Sequence, residues 1–256
     1  MIYKESIVLH RKEGSFQVGF CIMKNAQPNI SDYKHVLHDD EIDYYSNLEY
    51  EKRKISYLQG RVVAKYAISE VIENFQSLKS ILIKSGVFHF PVVKNILKDN
   101  IQISISHSDE YGFACAFQEE HPIGVDIERI NKENSDAIAK YISEDEHKQI
   151  VSCSLEKHMG DTLIWTSKES LSKILKTGLT IDFRLLDICS IVEKDKCYIC
   201  HFKNFLQYKS ISRCIDGYMY SIVIPSKTSS ILIIKLLGNI KKHLEEVKDC
   251  QKSLLS

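Results

Sequence analysis

Two stretches with helical periodicity, one in each half of the chain and each followed by strand-like segments, most constrain how this sequence can fold. The first, YLQGRVVAKYAISEVIENF at 57–75, places Val62, Val63, Ala67, Ile68, Val71 and Ile72 on one apolar stripe. The second, WTSKESLSKILKTGL, runs from Trp165, the only tryptophan, to Leu179. Gly178 reads as its stop. Arg61 and Lys65 stand one helical turn apart on the first stretch, as do Glu169 and Lys173 on the second. The step from Arg61 to Glu169 equals that from Phe113 to Ser221 in the strand-like segments. Two lobes of equal topology would produce this pattern. Coincidence in an ordinary α+β chain would also produce it, and the negligible identity between the halves leaves both readings open.

A length of 256 residues suits one large domain or two small lobes, and 44% apolar residues can fill a core. Lysine plus arginine equal aspartate plus glutamate at 34 each, which disfavours a general nucleic-acid binder. The start, MIYKESIVLH, has no basic leader before a long apolar run. The apolar segment ILIIKLLG from Ile231 is interrupted by Lys235 and is too short to span a bilayer. The expectation is a soluble cytoplasmic protein with reduced thiols. Cys197-Tyr-Ile-Cys200-His201 has haem-attachment spacing, but it lies in a strand-like run where residues three apart face opposite sides. No matching zinc ligands accompany it, so these thiols are expected to be structural.

Further elements are expected as a first strand over 1–10, a charged helix over 39–54, strands in IQISISHS, YGFACAF and PIGVDIE, and a short acidic-capped helix in SEDEHKQIVSC. Strands follow near 186–192, 196–202, 207–215 and 218–224. The tail 226–256 fits neither lobe, and IKKHLEEVKDCQKSLL within it reads as an amphipathic helix.

Three acidic side chains suggest chemistry. Asp126 and Glu128, two apart on a strand, share one face. Like charges that close repel unless a cation separates them. With Glu169 as a third oxygen donor, the set would suit magnesium, which keeps substrate oxygens in its shell. His107, between serines at a strand end, could when protonated bind a phosphate with help from their hydroxyls. Arg61, on an otherwise apolar helix, Lys65 and the run Lys52-Arg53-Lys54 are further cationic candidates. No GxxxxGK[ST] loop is present, which argues against a nucleotide-loop phosphotransferase.

In order, the segments GR..AK, SISHS, GVDIE and W..KES..K resemble those of the larger, Sfp-type 4′-phosphopantetheinyl transferases over roughly residues 50–225. The resemblance implies an α+β pseudodimer of two similar lobes, each a small antiparallel sheet packed on a long helix. The lobes would be 1–120 and 121–225, with 226–256 as an extension, and the protein a monomer. It further implies magnesium-dependent transfer of the phosphopantetheine arm of coenzyme A to a serine of an apo acyl or peptidyl carrier protein, releasing adenosine 3′,5′-bisphosphate. Carriers of peptide synthetases, polyketide synthases or fatty-acid synthesis are all compatible. By the same resemblance Asp126, Glu128 and Glu169 hold the metal, and Glu169 takes the serine proton. Lys173 stabilises the departing phosphate, Lys168 helps hold the pyrophosphate, and Trp165 packs beside the site. His107, Arg61 and more loosely Arg53 lie near the 3′-phosphate, and Ser106 near the nucleotide. One departure is the turn before SISHS: the family's Gly-Lys-Pro is replaced by GVFHFPVV, with Gly86, His89 and Pro91 spaced differently. A degenerate homologue that only binds coenzyme A or a carrier is the competing reading, and the intact carboxylates with Lys173 argue against it.

Overall fold

A computed structural model describes residues 1–72, 77–87, 89–94 and 100–253. The ends of two expected helices, 73–75 of the first and 254–255 of the tail, lie outside the described residues.

The first lobe opens with the hairpin β1 (Ile2–His10) and β2 (Ser15–Lys24). After the short α1 (Ile30–Tyr33) come α2 (Asp39–Ser46) and α3 (Glu51–Ser69). The single helix expected over 39–54 is therefore broken. Asn47 caps α2, its side-chain amide donating to Asp43 O at 2.9 Å, and Tyr50 in extended backbone starts α3. A small hairpin, β3 (Leu82–Ser85) and β4 (Pro91–Lys94), precedes β5 (Ile101–Ser108) and β6 (Tyr111–Gln118). The first main sheet is antiparallel with order β1-β2-β6-β5. Strand β2 was absent from the expectation because SFQVGFCIMK is buried on both faces and shows no clean alternation.

The second lobe begins with β7 (Gly124–Arg129), followed by α4 (Lys132–Ile138), α5 (Glu144–Ser152) and α6 (Lys157–Ile174). Strands β8 (Ile188–Lys194), β9 (Cys197–Phe202), β10 (Tyr208–Ile215) and β11 (Tyr218–Pro225) complete an antiparallel sheet of order β7-β11-β10-β9-β8. Helix α6 stops before Gly178: the chain turns at Lys176, which has φ +56°. Helix α7 (Ile231–Ser253) ends the described chain and merges two tail segments read separately from the sequence. Among the described residues no helix is long and apolar enough to cross a membrane.

Each sheet buries one face against its long helix. Ala114 and Ala116 of β6 pack with Val62, Val63 and Ala67 of α3; Met219 and Val223 of β11 pack with Leu163 and Leu171 of α6. The opposite faces meet in a third core that unites the lobes, with Phe113 and Phe117 of β6 in the same cluster as Tyr220 and Ile222 of β11. Helix α7 covers this shared core through Ile233, Leu236, Leu237, Ile240 and Leu244, an i, i+3/i+4 stripe.

The lobes match in detail. In the first, Glu41 closes a capping box with His38, accepts from Ile83 N at 3.0 Å and pairs with the buried Lys65 at 2.6 Å. In the second, Glu146 closes a capping box with Ser143, accepts from Ile188 N at 2.9 Å and pairs with the buried Lys168 at 2.8 Å. Lys65 adds bonds to Val36 O and Ile81 O, and Lys168 to Tyr141 O and Asp187 Oδ1. Gly19 and Gly124 stand at matching points: a Cβ on either would overlap a helix carbonyl oxygen, of Ala67 and Ser170 respectively. Lys65 thus corresponds to Lys168, not to Lys173 as the equal sequence steps suggested.

These pairs are structural, and removing one ion from a buried pair leaves the other uncompensated. Lys168→Met should cost about 3–5 kcal/mol of stability. A denaturant melt checks this; an unchanged midpoint would mean that Lys168 is not a structural cation.

Candidate functional site

The two sheets touch along β5 and β7, which run in the same direction. Ser104, Ser106 and Ser108, alternate residues on one face of β5, accept the backbone N–H groups of Val125, Ile127 and Arg129 at 3.0, 3.3 and 3.3 Å. Two of the hydroxyls also donate to carboxylates. Ser106 Oγ bonds Asp126 Oδ1 at 2.6 Å, and Ser108 Oγ bonds Glu128 Oε2 at 3.1 Å. Ser106, expected near the nucleotide, has its hydroxyl bonded within the protein.

Helix α6 crosses β7 at Gly124 and carries Glu169 and Lys173 to the same place. Lys173 Nζ donates to Asp126 Oδ1 at 2.7 Å and to Val125 O at 2.9 Å. Burial, followed by the charge of Asp126, pushes the carboxyls of Glu128 and Glu169 up to about 7. Asp126 itself is 4% exposed, and its Oδ2 is buried with no hydrogen-bond partner.

Among the described residues no three His, Cys, Asp or Glu side chains are grouped closely enough to hold a metal ion as they stand. The cation directly paired with Asp126 is the Lys173 ammonium. The donors nevertheless fit a hard divalent cation: a buried carboxylate oxygen lacks a partner, and two further carboxyls have raised pKa values partly through the charge of Asp126.

A groove of about 1240 Å³ in the first lobe brings together Arg53, Arg61 and His107 with Lys52 and Lys84. Arg61 is held by Glu41, 3.7 Å away, and lies 4.6 Å from the centre of the Tyr57 ring. His107 is on the β5 face opposite the seam serines. Desolvation, then the Lys173 charge, holds its pKa below the usual imidazole value. A second cavity of about 440 Å³ shares His89, Pro91 and Ile105 with the groove and reaches Glu169 and Lys173. The cationic bed thus adjoins a cavity that reaches Glu169 and Lys173, with a lining that includes Phe90, Ile103 and Ile174.

Two expected residues lie elsewhere. Lys168 is fully buried between Glu146 and Asp187, so its ammonium is not brought to the carboxylates. Trp165 stacks on Phe183 at 5.0 Å and packs against Tyr141 in the helix core. Cys197 and Cys200 are buried on β9, and burial raises both thiols, Cys200 to about 12. Glu41 and Tyr57, which fix Arg61, escaped the sequence reading. A histidine in place of Ser or Thr at the helix cap disguised the first capping box; Ser143-x-x-Glu146 was the readable copy.

Residues 122–221 match the model of the 4′-phosphopantetheinyl transferase superfamily. The chain is 34% identical over 83 residues to 4′-phosphopantetheinyl transferase gsp of Aneurinibacillus migulanus, covering 32% of this chain and about a third, 34%, of that relative. It is 28% identical over 202 residues to enterobactin synthase component D of Escherichia coli K12, covering 71% of this chain and 90% of that one. A holo-(acyl-carrier-protein) synthase from Bacillus anthracis, solved in complex with CoA (3′,5′-ADP), overlaps 44% of this chain and 97% of its own, with a TM-score of 0.36 and 20% identity.

The raised carboxyls set a pH dependence. Their folded pKa of about 7 lies above the ordinary 4.5, so the folded protein keeps protons that the unfolded chain releases. Stability in chelator should therefore fall as pH rises through that window. Thermal melts should show a shallower fall for Glu128→Gln with Glu169→Gln, and magnesium should flatten the wild-type curve. Parallel curves for variant and wild type would refute raised carboxyl pKa values at this site.

Proposed function

We propose that this chain, a member of the 4′-phosphopantetheinyl transferase superfamily through residues 122–221, transfers the phosphopantetheine arm of coenzyme A to a serine of an apo acyl or peptidyl carrier protein. The observation that carries this reading is the meeting of Asp126, Glu128, Glu169 and Lys173, of which Glu169 and Lys173 line a cavity that adjoins a cationic groove.

The groove takes the nucleotide, with Arg61, His107 and Arg53 toward its 3′-phosphate. Because the His107 pKa is depressed, Arg61 supplies the charge at neutral pH and His107 supplies hydrogen bonding. Asp126, Glu128 and Glu169 would hold magnesium, which when bound would neutralise the pyrophosphate. Glu169, the carboxyl carried by α6 beside Lys173, accepts the carrier serine's proton. The serine oxygen bonds to the phosphorus bearing the arm as the phosphorus–oxygen bond of the pyrophosphate breaks. Adenosine 3′,5′-bisphosphate leaves with its new charge opposite the Lys173 ammonium. Positioning and charge compensation do most of the work in such a displacement. The absence of disulfides among the described residues suits a reducing cytoplasm. The single chain supplies every named group, which supports a monomer.

Incubating purified protein with coenzyme A, magnesium and a panel of apo carriers should add the arm to at least one carrier, read by intact mass. Chelator or Glu169→Gln should suppress the addition. Failure on every carrier, with coenzyme A still bound, would favour a binding protein without transfer. In the same assay, wild type should prefer coenzyme A over dephospho-coenzyme A. Arg61→Ala should lose about tenfold to a hundredfold of that preference, as for one charged hydrogen bond. At pH 8 the loss should exceed that in His107→Ala. An equal drop with both substrates would remove Arg61 from the 3′-phosphate.

A further inference from the structure

The seam serines do more than join the lobes. A serine hydroxyl has one proton to donate. Ser106 gives it to Asp126 Oδ1, while the same oxygen accepts from Ile127 N. Ser108 gives its proton to Glu128 Oε2 and accepts from Arg129 N. Each hydroxyl is thereby fixed from both sides, and neither can rotate away without breaking a bond across the seam. Both serines are 8% exposed, so water competes little for these bonds. On Asp126 the consequence is directional. Oδ1 is taken by Ser106 and Lys173, which leaves Oδ2 as the buried oxygen without a partner. Ser104 makes the same kind of seam bond, to Val125 N at 3.0 Å, and has no bond to a carboxylate.

We propose that Ser106 and Ser108 are positioning residues that aim Asp126 and Glu128 at a divalent cation, with Ser106 selecting Asp126 Oδ2 as the ligating oxygen. The proposal rests on the metal assignment made above. The first lobe thus contributes to the second lobe's cation site through hydroxyls on β5. Loss of hydrogen-bond partners behind metal ligands typically costs ten- to a hundredfold in metal affinity.

The test is manganese binding followed by electron paramagnetic resonance, on the full chain with coenzyme A present, together with thermal melts. Ser104→Ala, Ser106→Ala and Ser108→Ala should all lower the melting temperature, since the first removes one bond across the seam and the other two remove two each. Ser106→Ala should weaken manganese binding about tenfold or more, Ser108→Ala should also weaken it, and Ser104→Ala should leave it within about twofold. Ser106→Thr keeps the hydroxyl and should restore much of the affinity. If Ser106→Ala and Ser104→Ala bind manganese alike, the positioning role is overturned while the metal assignment stands. If wild type binds no manganese, the metal assignment and this proposal fall together. A Ser106→Ala chain that does not fold moves the decision to Ser108→Ala, where unchanged affinity overturns the proposal.

Discussion

The candidate site depends on how closely one helix approaches one strand. At Gly124 the backbone of α6 lies so near β7 that any side chain there would overlap the Ser170 carbonyl. That contact brings Glu169 and Lys173, on the helix, to Asp126 and Glu128, on the strand. A larger residue would lift the helix and expose and separate the carboxylates, whose burial and shared negative charge give the site its character. Gly19 serves the same architectural purpose in the first lobe, where it brings together residues without that chemistry.

This second crossing explains why only one site is built from two similar lobes. The positions matching Asp126 and Glu128 are Cys21 and Met23, and those matching Glu169 and Lys173 are Tyr66 and Glu70. The edges that would form the matching seam are occupied, β2 by β1 and β10 by β9. Helix α7 packs against β1 and β10, with Asn239 bonded to Glu5 at 3.0 Å. The shared framework is kept, while one of its two possible clefts is filled with apolar and structural groups.

Much of this was legible in the sequence because it is written locally. The strands from Ile101 onward, the acidic pair two residues apart and the Glu169–Lys173 helix face follow from periodicity and spacing. What failed depends on tertiary contact. Lys168 and Lys173 lie on one helix, and only packing sends the first into a buried pair and the second toward Asp126. The Ser106 hydroxyl sits on the strand face opposite His107, yet what it meets there depends on β7 lying alongside β5. The hairpin partner β2 went unseen because both its faces are buried and its hydrophobic pattern does not alternate.

The lobes also exchange reciprocal contacts at their turns. Tyr111 OH donates to Asp216 Oδ2 at 2.5 Å, and Tyr218 OH, its counterpart, donates to Asp109 Oδ2 at 2.9 Å. Asp109 and Asp216 occupy the same left-handed turn position, with φ +49° and +55°. Such reciprocity marks an isologous interface between two copies of one unit. Two separate units would associate only as far as their concentration allowed, and dilution would dismantle any site shared between them. Carried on one polypeptide, the halves meet at an effective concentration set by their connection rather than by protein abundance. A cleft assembled from both lobes therefore stays complete in a dilute cell, and each half is free to lose the residues that only the other now needs.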